Sequence, residues 1–355
     1  MTTQHYIRWI TDTAAPAVAI VGGKGASLHK LTSFGLRVPD AFVVTTAAYR
    51  DAIAGSLVAE IDRRTNAVAN TSDLDELTVA ATSIRDLLFA ETEGNVADAA
   101  VRDSYAALAE RLGGEDPSVA VRSSSAAEDS AAHSFAGEHD SYLWVLGADV
   151  VSEAVRRCWA SLYTARAMSY RVRNGMTATD DAMAVVVQHM VDARAAGVFM
   201  TLNPVNGDRS KIVVESLWGL GEPLVSGTAT PDRFVIDKVT GEVIERSIAR
   251  KELRASRNAA TGQGIEMLQV NSDDVERPSL MGDELTELID VARRVEKQAN
   301  CPQDGEFALM DSDIYLLQAR PETVWSTKAA NRISDNSNAM SHVLSVLTNG
   351  AKTRA

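Results

Sequence analysis

The hydrophobic pattern changes period several times along the chain. Val18 to Val21 form a brief apolar run that predicts a strand, after which Gly22, Gly23 and Gly25 surround Lys24. From Ala26 to Phe34 the spacing is helical through Leu28 and Leu31, with Gly35 as the stop. The stretch "VPDAFVVTT" reads as a turn leading into a strand, with Thr46 placed to cap the next helix. Residues 51–112 are rich in Ala, Leu, Asp, Glu and Arg at helical spacing and predict a helical insertion. Residues 149–175 are amphipathic, with Val151, Val155, Trp159, Leu162 and Ala165 on one side. Strand signals then take over in "AMAVVVQHMV", "GVFMTLNP", "SKIVVESLWG" and "DRFVIDK". A helix is expected over about 283–299, followed by a hairpin in "GEFALMDSDIYLLQARPET". This order predicts an α+β fold of two lobes.

A chain of 355 residues exceeds what one hydrophobic core usually supports, which agrees with two lobes. A net charge of −13 argues against a general nucleic-acid or anionic-membrane binder, while leaving room for a local basic pocket. Cys158 and Cys301 are the two cysteines and offer no disulfide framework. The N-terminus lacks a basic region followed by an apolar run, and no uncharged apolar run approaches the roughly 20 residues of a membrane span. A cytoplasmic protein is the expectation.

Several segments could carry chemistry. With Asp311, Ser312 and Asp313 as the loop of the last hairpin, Met310 pairs with Ile314 and Glu306 falls opposite Gln318. Arg320 lies on the same face, while Phe307, Leu309, Tyr315, Leu317 and Ala319 are expected on the core face. A carboxylate and an amide oxygen beside an arginine suit Mg²⁺ on a polyphosphate; a solvated polar face is the alternative. Lys24 among glycines before a helix suits an anion, though its spacing is not that of a P-loop and an ordinary loop has the same composition. In "VAVRSSSAAEDSAAHSFAGEHDSY" Arg122 leaves a strand at the head of a serine-rich loop, which could cradle phosphate or simply pair Arg122 with Glu128 or Asp129. "VVVQHMV" brings Gln188 and Met190 to a bend where a flat base could lie, and Gly219 and Gly221 form a further flexible loop. The six histidines show no metal spacing.

Five segments in order, "GGKGASLHKL…GLRVPDAFVVTT", "VAVRSSSAAEDS…SFAGEHDSYLWV", "VVVQHMVDARAAGVFMTLNP", "ESLWGLGEPLVSGTATPDRFVID" and "DGEFAL…IYLLQARPET", carry a more specific signal. They resemble the nucleotide-binding domain of the phosphoenolpyruvate synthase, pyruvate phosphate dikinase and rifampicin phosphotransferase family. The resemblance implies an ATP-grasp fold with ATP and Mg²⁺ between a lobe of residues 1–187 and a lobe of residues 188–325. It implies that Lys24 and Arg122 bind phosphates, that Glu306 and Gln318 hold the metal, and that Arg320 belongs to the same machinery. Gln188 and Met190 fall at the adenine hinge and Ser141 near the phosphates. Ser125 and Ala127 depart from the family's "SSATAED" run, and Glu138 stands where "SFAGQ" has glutamine. The implied reaction converts ATP to AMP and phosphate and passes a phosphoryl group through a histidine, here expected on a partner subunit. A phenol such as 4-cresol is the expected acceptor, residues 326–355 are a candidate docking segment, and a non-catalytic ATP sensor is the competing class.

Overall fold

The computed structural model describes residues 5–125 and 141–325. The readings of Ala127, Glu128, Asp129, Glu138 and the 326–355 segment lie outside the described residues.

The first part of the chain runs β1 (Ile7–Trp9), α1 (Val18–Ser33), β2 (Ala41–Val44), α2 (Thr46–Ala52), α3 (Ser56–Asn66), α4 (Leu74–Glu91), α5 (Asp98–Arg111), β3 (Val119–Ser125), β4 (Ser141–Val145), α6 (Ala148–Ala160), α7 (Ala165–Asn174) and β5 (Met183–His189). Its strands form an antiparallel sheet in the order β1-β2-β5-β3-β4. The near-continuous apolar run of β5 follows from burial on both faces. Val185 and Val187 join Phe42, Val44, Val119 and Val121 under the helical layer, where Val155 and Trp159 of α6 are packed. Ala184 and Val186 face the opposite way with Ala41 and Val43, against Val21 and Leu28 of α1.

The remainder runs β6 (Ala195–Met200), β7 (Lys211–Trp218), α8 (Glu222–Val225), β8 (Asp232–Asp237), β9 (Val243–Ser247), β10 (Leu253–Arg257), β11 (Ile265–Gln269), α9 (Gly282–Ala299), β12 (Gln303–Met310) and β13 (Asp313–Pro321). Six of these strands make a second antiparallel sheet, β13-β12-β6-β7-β8-β9, and β10-β11 is a separate hairpin. Leu285, Leu288, Ile289, Ala292 and Val295 line one side of α9 and bury Phe199, Val214, Phe234, Phe307 and Leu309. Antiparallel sheets covered on a face by helices make this an α+β protein. No helix among the described residues is long and apolar enough to cross a membrane.

Four local expectations are corrected. Val18–Val21 is the first turn of α1, not a strand: Val21 is buried while Val18 and Ile20 are exposed, and the helix breaks at Gly22. Thr46 does not cap α2, because its hydroxyl donates to the Ala19 carbonyl at 2.8 Å and Thr45 occupies the cap position. The division drawn between residues 187 and 188 falls inside β5, which stays paired through Val119 and His189; the chain crosses to the second sheet over 190–194. Gly219 serves backbone approach rather than loop flexibility: it has φ +73°, and a Cβ there would lie 2.2 Å from the Ala255 carbonyl oxygen. Its strand end can then pair with β10, where Leu220 N–H donates to Ala255 O at 3.0 Å.

Candidate functional site

The kink in α1 sets the first part of the site. Gly22 adopts φ 69°, ψ 177°, a region open almost only to glycine, and a Cβ there would sit 1.9 Å from the Ser124 carbonyl oxygen. The backbone of α1 therefore lies directly on β3. Ser124 fixes the kink from both sides: its hydroxyl donates to Val21 O at 2.8 Å and accepts from Gly25 N–H at 3.1 Å. The serines after Arg122 are thus buried parts of β3, and Ser124 works as the bracket that presents Lys24.

Arg122 projects from the same strand toward the second sheet. Its Nη2 lies 2.9 Å from Glu306 Oε2 of β12, an ion pair that crosses from one sheet to the other. Burial pushes the Glu306 carboxyl up, but Arg122, with smaller contributions from Lys24 and Arg320, outweighs burial and holds it below the ordinary carboxylate value. Three cations drawn from α1, β3 and β13 therefore act on one carboxylate.

The terminal hairpin reaches the expected pairing by a different route. Its loop is the two residues Asp311 and Ser312, with Asp311 at φ 55°, so Met310 pairs with Asp313 and Phe307 with Leu316. A bulge between Glu306 and Phe307 absorbs the difference and restores Glu306 opposite Gln318. The shorter loop also exchanges part of the faces. Ile314 and Leu316 join the core with Ala319, whereas Tyr315 and Leu317, expected there, pack on the opposite side with Ala308 and Met310.

Gln318 Oε1 is buried and has no hydrogen-bond partner. An orphaned amide oxygen opposite a carboxylate fits a hard divalent cation, which lacks only further oxygens from phosphate or water. No group of three or more His, Cys, Asp or Glu residues with metal-holding geometry occurs among the described residues. Arg320 lies half-exposed at the rim, its Nε 3.9 Å from Asp304 Oδ2. Ser141 pairs in register with Arg122 across β3 and β4.

A cleft of about 310 Å³ opens between the sheets. Arg122, Ser141 and Glu306 line it, together with Gln188 and Met190; its apolar wall includes Leu143, Ala196 and Leu317. The Gln188 side chain is 2% exposed, and its Nε2 is a buried donor without a partner. Lys24, Gln318 and Arg320 are not among the lining residues; Lys24 and Arg320 reach the cleft through the charge of Glu306.

Sequence reasoning missed Ser27, Glu222 and Ser226. Ser27, one turn beyond Lys24, donates to the Ala319 carbonyl at 2.5 Å and accepts from Ala319 N–H at 3.1 Å. It closes the free edge of β13 between Gln318 and Arg320, and so ties the helix carrying Lys24 to the strand carrying the other two. A serine inside a helical run carries no sequence signal for such a contact. Glu222 and Ser226 lie at the cleft beside Gly221, at the two ends of the short α8 that follows "GLG", where Glu222 opens the helix and Ser226 caps it.

Residues 18–340 match the family described as the pyruvate phosphate dikinase AMP/ATP-binding domain. The chain belongs to that family. It is similar to a probable phosphoenolpyruvate synthase of Methanothermobacter thermautotrophicus, 37% identical over 318 residues, which are 90% of this chain and 46% of that protein. The phosphoenolpyruvate synthase of Pyrococcus furiosus is 34% identical over 363 residues, covering 92% of this chain and 44% of its own length. A rifampicin phosphotransferase of Streptomyces sviceus is 38% identical over 325 residues, 90% of this chain and 36% of that protein. The chain thus spans less than half the length of these relatives.

Proposed function

We propose that this chain binds ATP in the cleft between its sheets and performs the ATP-cleaving half-reaction of a dikinase. The observation that carries this reading is the 2.9 Å ion pair of Arg122 with Glu306, both lining an apolar cleft, with the orphaned oxygen of Gln318 opposite Glu306 in the hairpin register. The adenine would lie against Met190 and Leu143, with the buried amide of Gln188 as a donor. Glu222 and Ser226 are the polar groups at hand for the ribose hydroxyls. Arg122 and Lys24 would draw the triphosphate toward β12, with Ser141 beside it and Arg320 at the outer phosphate. Mg²⁺ would be held by Glu306 and Gln318 and would supply neutralisation of the charge that builds on the phosphates. None of these side chains is a covalent nucleophile in this scheme. They position the chain of phosphates, hold its charge and exclude water from the base.

In the full reaction ATP and water give AMP and phosphate, while one phosphoryl group moves to a histidine outside the described residues and then to an acceptor. We propose that a partner subunit carries that histidine. The names of the relatives support pyruvate as the acceptor, and a small phenol is the alternative to be assayed beside it. Calorimetric titration of the purified chain should show ATP binding that Mg²⁺ strengthens. Reconstitution with a histidine-bearing partner should then yield AMP, with phosphorylated pyruvate, phenol or 4-cresol identifying the acceptor. Absence of ATP binding with and without Mg²⁺ would overturn the reading; binding without AMP formation by any partner would favour the ATP sensor.

A further inference from the structure

Two groups that the proposed function uses for different tasks hold each other in this structure. Arg122 Nη2 donates to Glu306 Oε2 at 2.9 Å across the seam between the sheets, and both side chains are largely withdrawn from solvent. Beside this pair, Gln318 sits opposite Glu306 in the hairpin register with its Oε1 buried and unpartnered. One arm of the proposed cation subsite is therefore occupied by a positive group of the protein itself, and the other arm is idle.

From this geometry we infer that Arg122 is a built-in stand-in for the divalent cation, so that polyphosphate and cation enter the site as a coupled pair. The inference rests on the proposed function, since it assigns how the two ligands of that same site depend on each other. A bare dication must break this ion pair, leaving the guanidinium without its carboxylate partner beside a dication. A polyphosphate without metal meets the opposite obstacle. It draws Arg122 away as a bidentate partner, and leaves the Glu306 carboxylate facing phosphate oxygens. Together the two ligands satisfy every group: phosphate takes the guanidinium, and Glu306 with Gln318 takes the cation. Coupling of this kind is reciprocal, so each ligand raises the affinity of the other by the same factor.

The test uses the full chain, Mn²⁺ alone followed by electron paramagnetic resonance, and ATP titrated with EDTA or with Mg²⁺. Wild type should bind Mn²⁺ alone weakly. Arg122→Gln should bind it about ten-fold tighter or more, within the usual range of coupling factors. That gain should disappear in the double variant Arg122→Gln, Gln318→Ala. A folded Arg122→Gln protein whose Mn²⁺ affinity is unchanged or weaker overturns the inference. Should Arg122→Gln fail to fold, Glu306→Gln decides the matter with the opposite sign. With its carboxylate neutralised it should bind metal-free ATP several-fold more tightly than wild type, with no further gain from Mg²⁺. Weaker binding of metal-free ATP overturns the stand-in. Loss of all ATP binding in wild type would instead overturn the proposed function, and the Mn²⁺ comparison would still decide the role of Arg122.

Discussion

Glu306 carries more of the proposed chemistry than any other single side chain. Glu306→Ala should abolish metal-dependent AMP formation while circular dichroism stays native, because the side chain, although mid-strand in β12, lines the cleft and is not part of the apolar cluster of α9. Normal AMP formation by this variant, with its partner present, would remove Glu306 from the site. Gly22 makes a complementary prediction about stability. Placing alanine at φ 69°, ψ 177° costs on the order of 1–3 kcal/mol from backbone conformation alone. The 1.9 Å approach to the Ser124 carbonyl adds a clash that only movement of α1 away from β3 can relieve. Gly22→Ala should therefore lower unfolding free energy by about 3 kcal/mol or more in urea, and should weaken ATP binding in whatever fraction remains folded. A wild-type urea midpoint would show that the kink is not strained in this way.

At the scale of elements, α1 is the connection between the sheets. Its N-terminal kink is bracketed by Ser124 of β3, and its next turn closes the edge of β13 through Ser27. Removing the Ser124 hydroxyl leaves a buried donor on Gly25 and a buried acceptor on Val21, and Ser124→Ala should cost about 1–3 kcal/mol. The same change should reduce ATP affinity, because it loosens the turn that displays Lys24. Ser124→Ala with unaltered ATP affinity would separate the kink from the site. The hairpin β12-β13 shows how much of an element can be read in sequence. Alternation and the turn residues were enough to pair Glu306 with Gln318. They could not foretell the two-residue loop and its compensating bulge, because neither composition nor period distinguishes a bulged hairpin from a regular one with a longer loop.

Across the whole molecule, the two sheets differ in what secures them. The second contains a buried ion pair, Lys251 Nζ to Asp232 Oδ1 at 2.6 Å, and the other Asp232 oxygen accepts from Ser279 N–H and Oγ–H. Lys251→Met alone would strand a buried carboxylate and should destabilise by about 3–5 kcal/mol, measurable in denaturant; a loss below about 1 kcal/mol would show that water reaches the site. His189, at the crossing between the sheets, gives a pH dependence. Burial lowers its pKa from 6.5, with Asp40 partly opposing. A lowered folded value means that the folded protein binds fewer protons than the unfolded chain between the two values. Its contribution to stability is therefore complete above pH 6.5 and is lost as pH falls toward the lowered value. His189→Gln should flatten that part of the stability curve, and an unchanged slope would assign it elsewhere. The sequence by itself determined the α+β class, most helices and strands, and the residue types that suit ATP and a cation, because periodicity and motif order are local properties. It did not reveal the β9-to-β11 region, whose short and mostly exposed strands leave little apolar pattern. Nor did it reveal the use of Ser27 and Ser124. The tertiary structure alone decided that Arg122 meets Glu306, 184 residues away, since only the packing of one sheet on the other brings those charges within 2.9 Å.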